Sequence, residues 1–113
     1  MELMSEHVGD VTIVVLAGAQ LDASSAGDFR RDIAPVLEEN ARVVFDLSPL
    51  GFIDSSGLGS LLSCLRQVQA QGGDLKLCGM SKPVRALFEL VRMHRLFHIF
   101  DTQEEAICAF QQQ

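Results

Sequence analysis

The chain contains no tryptophan and no tyrosine, and its aromatic residues are 7 phenylalanines among 113 positions. A core of this kind is aliphatic with a few phenyl rings, and it leaves no row of aromatic faces on which successive bases could stack. Positive charge is also scarce: 9 Lys and Arg face 15 Asp and Glu, for a formal net charge of -6. A protein of that sign repels a phosphate backbone, so nucleic acid is not an expected partner. No apolar run approaches the ~18 residues of a membrane-crossing helix, and Met1-Glu2-Leu3-Met4-Ser5-Glu6 lacks the basic start and apolar stretch of a signal peptide. No membrane insertion is expected, and the expected compartment is the cytoplasm. The three cysteines, Cys64, Cys78 and Cys108, are odd in number and lack a CxxC pair, which suits neither a disulfide framework nor a zinc site. They read as small buried hydrophobes.

What is present has the balance of an ordinary globular protein, with 48% hydrophobic and 21% charged residues. The length fits one domain over residues 1–113, since domains cluster near ~100 to 150 residues. Val8 and Val11 flank the turn pair Gly9-Asp10, so the chain opens with a hairpin whose second strand, Val11 to Leu16, reads as fully buried. Ser25 and Asp28 have the offset of a capping box, and Phe29, Ile33, Val36 and Leu37 share one face of a first helix. Pro35 lies inside that helix and is expected to kink or weaken it. Arg42 to Leu47 is strand-like, and Ser48-Pro49-Leu50-Gly51 is a loop. A second helix begins at or beside Ser55, carries Leu58, Leu61, Leu62, Leu65 and Val68 on one face, and stops at Gly72-Gly73. Leu75 to Cys78 alternates as a strand, Ser81-Lys82-Pro83 starts a third helix with Val84, Leu87, Phe88 and Val91 on one face, and Leu96 to Phe100 is a last strand. Thr102 and Glu105 form a capping box for a final helix that buries Ala106, Ile107 and Phe110 before Gln111-Gln112-Gln113 frays. Alternation over such short connections implies an α/β fold: a four- to five-stranded mixed sheet with parallel pairs, right-handed crossovers and about four helices. In such sheets functional residues gather where strands run into helices, and Asp22, Asp46 and Asp54-Ser55-Ser56 hold such positions.

Asp54-Ser55-Ser56-Gly57-Leu58-Gly59-Ser60 is the most informative stretch. Two hydroxyls sit at a helix start, and two glycines keep the surface low enough for another protein's active site to approach. The first turn of a helix carries unpaired N–H groups and partial positive charge, so a phosphoserine is tolerated there far better than mid-helix. Alternatively, one serine is only the helix N-cap and the glycines only permit tight packing. Local chemistry leaves both readings open. Elsewhere, His7, His94 and His98 are scattered with no carboxylate at ligand spacing, and Arg85, Arg92, His94 and Arg95 read as a solvated helix face. There is no G-x-S-x-G elbow and no GxxxxGK[ST] phosphate loop, so the chain is not expected to be an enzyme or to need a cofactor.

The run from Val43 through Phe45-Asp46-Leu47-Ser48 to Asp54-Ser55-Ser56-Gly57-Leu58-Gly59 resembles the STAS domain family, and within it the bacterial anti-sigma factor antagonists. Leu16-Ala17-Gly18, Leu21-Asp22, Gly72-Gly73 and Val84-Arg85-Ala86-Leu87-Phe88 extend the resemblance over nearly the whole chain. Gly18-Ala19-Gln20-Leu21-Asp22 is one residue longer than the family's usual turn and lacks its acidic residue. The resemblance implies a partner switch. The unphosphorylated protein binds an anti-sigma factor that is also a serine kinase and so frees the sigma factor; phosphorylation of Ser55 reverses this, and a PP2C-type phosphatase restores the hydroxyl. It further implies that Asp54, Ser56, Gly57 and Leu58 lie in the docked surface, with Asp22 nearby. A second reading within the family is a subunit that regulates a transporter ATPase or a signalling assembly by binding alone.

Overall fold

A computed structural model describes residues 1–112 and shows a mixed α/β fold with one five-stranded sheet and four α-helices. Strands β1 (Leu3–Val8) and β2 (Val11–Leu16) form the expected antiparallel hairpin, with Val8 opposite Val11. Gly9 turns it at φ +62, a left-handed conformation that suits glycine. From β2 the chain crosses through α1 (Ala26–Glu39) to β4 (Arg42–Asp46), then through α2 (Ser55–Ala70) to β6 (Asp74–Cys78), and through α3 (Lys82–Leu90) to β7 (His98–Phe100). The sheet order is β1-β2-β4-β6-β7, and its last three pairings are parallel. Two short strands, β3 (Gln20–Leu21) and β5 (Phe52–Ile53), pair in parallel beside it and carry the chain to α1 and α2.

Alternation along the strands divides the interior in two. Val14 and Leu16 of β2, Val43 and Phe45 of β4, and Leu75 and Leu77 of β6 join Phe29, Leu61, Phe88 and their neighbours in the larger cluster with α1, α2 and α3. Val11, Ile13, Val44 and Cys78 point the other way and pack against Ala106 and Phe110 of α4 (Gln103–Gln111). The second strand of the hairpin is therefore buried on both faces, apart from half-exposed Val15.

Several local expectations are corrected. Ser25 stands at the N-cap of α1 but makes no capping bond; its hydroxyl accepts the Asp22 N–H at 3.0 Å instead. The helix runs unbroken through Pro35. Pro35 and Arg31 are both exposed, so water reaches the Arg31 carbonyl that the ring deprives of a donor. α3 ends at Leu90, leaving Val91 49% exposed rather than on the buried face, and Arg92 follows at φ +63. A 3-10 turn at Met93–Arg95 leads into exposed Leu96, and Leu96 and Phe97 of the expected strand fall outside it, so β7 keeps only three residues. Phe97 turns inward to meet the Phe88 ring edge-on at 6.0 Å. Cys108 is exposed, unlike Cys64 and Cys78. Gln111 closes α4 and the Gln112 N–H donates to the Cys108 carbonyl at 3.1 Å, so neither frays; Gln113 lies outside the described residues. Thr102 does cap α4: its hydroxyl accepts the Glu105 N–H at 3.2 Å and donates to the Glu105 carboxylate at 3.1 Å.

Candidate functional site

The Asp54 segment lies where β5 runs into α2, and Asp54, not a serine, is the N-cap. One carboxylate oxygen accepts the Gly57 N–H at 2.9 Å, closing the first turn, while the other accepts the Ala23 N–H at 3.1 Å and ties the loop after β3 to the helix start. The capping role is thereby filled. Ser55 is exposed at the first position of the helix, and Ser56 is half-buried. Ser60, one turn on, is buried, its hydroxyl donating to the Ser56 carbonyl at 3.0 Å.

The two glycines differ. Gly57 is buried, and a Cβ there would collide with the Leu21 carbonyl oxygen and the Ile53 side chain, so only glycine lets α2 start this close to β3 and β5. Gly59 faces open space. Leu58 is 6% exposed and belongs to the core, so Gly57 and Leu58 shape the surface from beneath more than they present it.

Asp22 sits across from Asp54 at the end of β3. Its carboxylate accepts the Ser24 hydroxyl at 2.7 Å, the Ser24 N–H at 3.0 Å and the Ser25 hydroxyl at 3.3 Å. The Ser24 hydroxyl above all, with the Ser24 N–H and Ser25 adding to it and partial desolvation opposing, holds the Asp22 carboxyl below its ordinary value. Asp22 therefore stays ionised while organising its loop. Asp46 has a structural part, accepting the Ser48 N–H at 2.9 Å and the Gln103 amide at 2.7 Å.

Beside Ser55 lies an apolar groove of about 260 Å³, lined by Ser55, Leu58, Gly59, Leu62, Val91 and Met93. Its far wall is the segment after α3, which sequence reasoning did not connect with the site. Leu62 had the periodicity of a core position and Val91 that of a buried helix face, so neither carried a signal of exposure. The cluster read as a solvated helix face is exposed at Arg92, His94 and Arg95; Arg85 is half-buried, 3.7 Å from Asp101. A second unforeseen feature is Lys76, 1% exposed beneath α4. Its ammonium meets Asp74 at 3.1 Å, His98 Nδ1 at 3.0 Å and the Phe110 ring at 4.6 Å, which compensates the buried charge. Among the described residues no cluster of three His, Cys, Asp or Glu could hold a metal, and no helix is long and apolar enough to cross a membrane.

The site's frame is shared with known proteins. The sequence pattern of the STAS domain matches residues 2–106. The chain is 28% identical over 109 residues to the anti-sigma F factor antagonist of Paenibacillus polymyxa, covering 95% of this chain and 92% of that protein. It is 28% identical over 95 residues to the anti-sigma-B factor antagonist of Bacillus subtilis (strain 168), covering 84% and 87%. Among solved structures, the phosphorylated form of the Bacillus cell fate determinant SpoIIAA agrees with a TM-score of 0.71 at 25% identity, covering 96% of this chain and 99% of that one. The unphosphorylated form of the anti-sigma factor antagonist SpoIIAA agrees at 0.70, also at 25% identity, covering 97% and 98%. With a pattern that spans nearly its whole length and a sheet that follows these structures, the chain belongs to the STAS domain family.

Proposed function

We propose that this protein is an anti-sigma factor antagonist, a single cytoplasmic domain over residues 1–113 controlled by phosphorylation of Ser55. Unmodified, it binds an anti-sigma factor that is also a serine kinase, and so releases the sigma factor. The observation that carries the reading is the division of labour at the start of α2: Asp54 caps the helix with one oxygen and holds the Ala23 loop with the other, and Ser55 stands exposed beside it. Ser55 is therefore not committed to holding the helix start, and its hydroxyl is spare.

The chemistry belongs to the partner. The kinase supplies ATP and magnesium, the Ser55 oxygen takes the γ-phosphoryl group as its bond to the β-phosphate oxygen breaks and ADP leaves, and the hydroxyl proton passes to a base of the kinase. The product carries about -1.5 to -2 additional charge beside Asp54, on a chain already at -6. The helix start tolerates that charge, but a surface built to receive a neutral hydroxyl does not. Hydrolysis of the phosphoester by a PP2C-type phosphatase restores the binding form. Asp22, Asp54 and Ser56 flank the hydroxyl in the docked surface, and Gly57 and Leu58 support it from below.

Phosphopeptide mapping after incubation with the cognate kinase and ATP tests the assignment. Phosphate is expected on Ser55. Ser56 points roughly 100° away around the helix, and Ser60 is buried; phosphate on Ser56, Ser60 or Ser63 contradicts the reading.

A further inference from the structure

The groove beside Ser55 ends at an unusual stretch. From Leu90 to Leu96 the chain exposes Leu90 (77%), Val91 (49%) and Leu96 (53%), half of the large hydrophobic side chains that stand exposed among the described residues. The same seven residues include Arg92, His94 and Arg95, all exposed. Arg31, Arg42, Lys76 and Arg85 each have a carboxylate partner, whereas Arg92 and Arg95, like Arg30, Arg66 and Lys82, form no ion pair among the described residues; only Arg92 and Arg95 share one short segment with exposed apolar side chains. Two guanidinium groups beside an open apolar groove form a local basic and apolar patch on a chain whose net charge is -6.

From this juxtaposition we infer that the segment after α3 is the second half of the docking surface, and that it receives an acidic amphipathic helix of the anti-sigma factor. The inference rests on the function proposed above and adds the chemistry of the partner's docking element. The groove, at about 260 Å³, is open and lined almost wholly by apolar side chains, without the set of placed polar groups that orients a metabolite, so it suits inserted apolar side chains. Its walls are α2 and the 3-10 turn, with no free strand edge between them, which favours apolar anchors at helical spacing over strand addition. Arg92 sits between two wall residues, Val91 and Met93, so carboxylates flanking the apolar anchors meet Arg92 and Arg95 as the anchors enter. The charges steer encounter and fix orientation, and the apolar groove slows release. The groove is continuous with Ser55, so one partner covers both.

The test titrates each purified anti-sigma factor kinase of the source genome against three proteins: wild type, the double variant Arg92→Glu/Arg95→Glu, and Val91→Ser. Circular dichroism and urea midpoints check that the exposed substitutions leave the fold intact. The double variant is expected to bind its kinase at least tenfold more weakly, through a slower on-rate whose salt dependence is flattened. Val91→Ser is expected to dissociate several-fold faster. Wild-type binding with both variants unchanged overturns this inference and leaves the proposed function standing. Failure of the wild type to bind any of the kinases overturns both. A wild-type dimer that the double variant dissolves makes a second copy of this chain the occupant and overturns the assignment to the anti-sigma factor.

Discussion

Asp54 is the residue on which the site turns, because its two oxygens serve two segments that are far apart in sequence. Asp54→Ala removes the bond to Gly57 and the tie to Ala23 together. It is expected to lower stability by about 1 to 2 kcal/mol, seen as a lower urea midpoint with an unchanged slope. An unaltered midpoint would mean that water replaces both bonds at no cost. The position of Asp54 at a strand-to-helix junction is legible in the sequence, but its second oxygen is not, since nothing local to Ala23 marks its N–H as a donor across 31 residues. The cysteines offer a similar contrast. Burial pushes the Cys64 and Cys78 thiols up to about 12, so at pH 8 almost none of either is thiolate, whereas Cys108 is exposed. A thiol reagent is expected to modify one cysteine in the folded protein at pH 8 and three after unfolding; more than one in the folded state contradicts the packing. Helical spacing foretells the exception, because Ala106 and Phe110 are one turn apart and buried, and Cys108 lies midway between them on the opposite side.

Among the elements, α2 is the most legible: its helical span and the closing Gly72-Gly73 match the apolar spacing, since a long, strongly periodic apolar face is the clearest pattern a packed helix leaves in its sequence. The boundary after α3 is the least legible. Val91 continues the helical period, and only the left-handed backbone at Arg92 ends it, a conformation that sequence reading does not assign to arginine. Misplacing that end concealed the far wall of the groove. α1 shows the opposite error, because Pro35 suggests an interruption that the packing of Phe29, Ile33 and Leu37 overrides. Pro35→Ala restores an N–H that can donate to the Arg31 carbonyl and relieves the ring's crowding of that turn. It is expected to raise stability by about 1 to 3 kcal/mol, read as a higher urea midpoint. A lower midpoint would show that the ring's restriction of the unfolded chain matters more than the lost helical bond.

For the whole molecule, fold class and the alternation of strands and helices follow from pattern, whereas strand order does not. Periodicity shows which face of a strand is apolar, not which strand lies beside it, so the insertion of β4 between β2 and β6 emerges only in three dimensions. The same limit hides Lys76. In Leu75-Lys76-Leu77 it reads as the solvent face of a strand, but α4 covers that face and encloses the ammonium with Asp74, His98 and Phe110. The molecule's negative charge bears directly on its proposed switch, because each added charge at Ser55 joins an existing excess. Ser55→Ala and Ser55→Asp both leave the apolar face of α2 untouched, and a carboxylate is acceptable in the first helical turn, so both variants are expected to stay folded. Calorimetry of the unphosphorylated wild type and these two variants against the anti-sigma kinase is the most direct test of the account. It predicts binding by wild type and Ser55→Ala, and at least tenfold weaker binding by Ser55→Asp, a loss of about 1.4 kcal/mol or more. Equal affinity for all three, with each folded by circular dichroism, would contradict a switch that works through charge at Ser55.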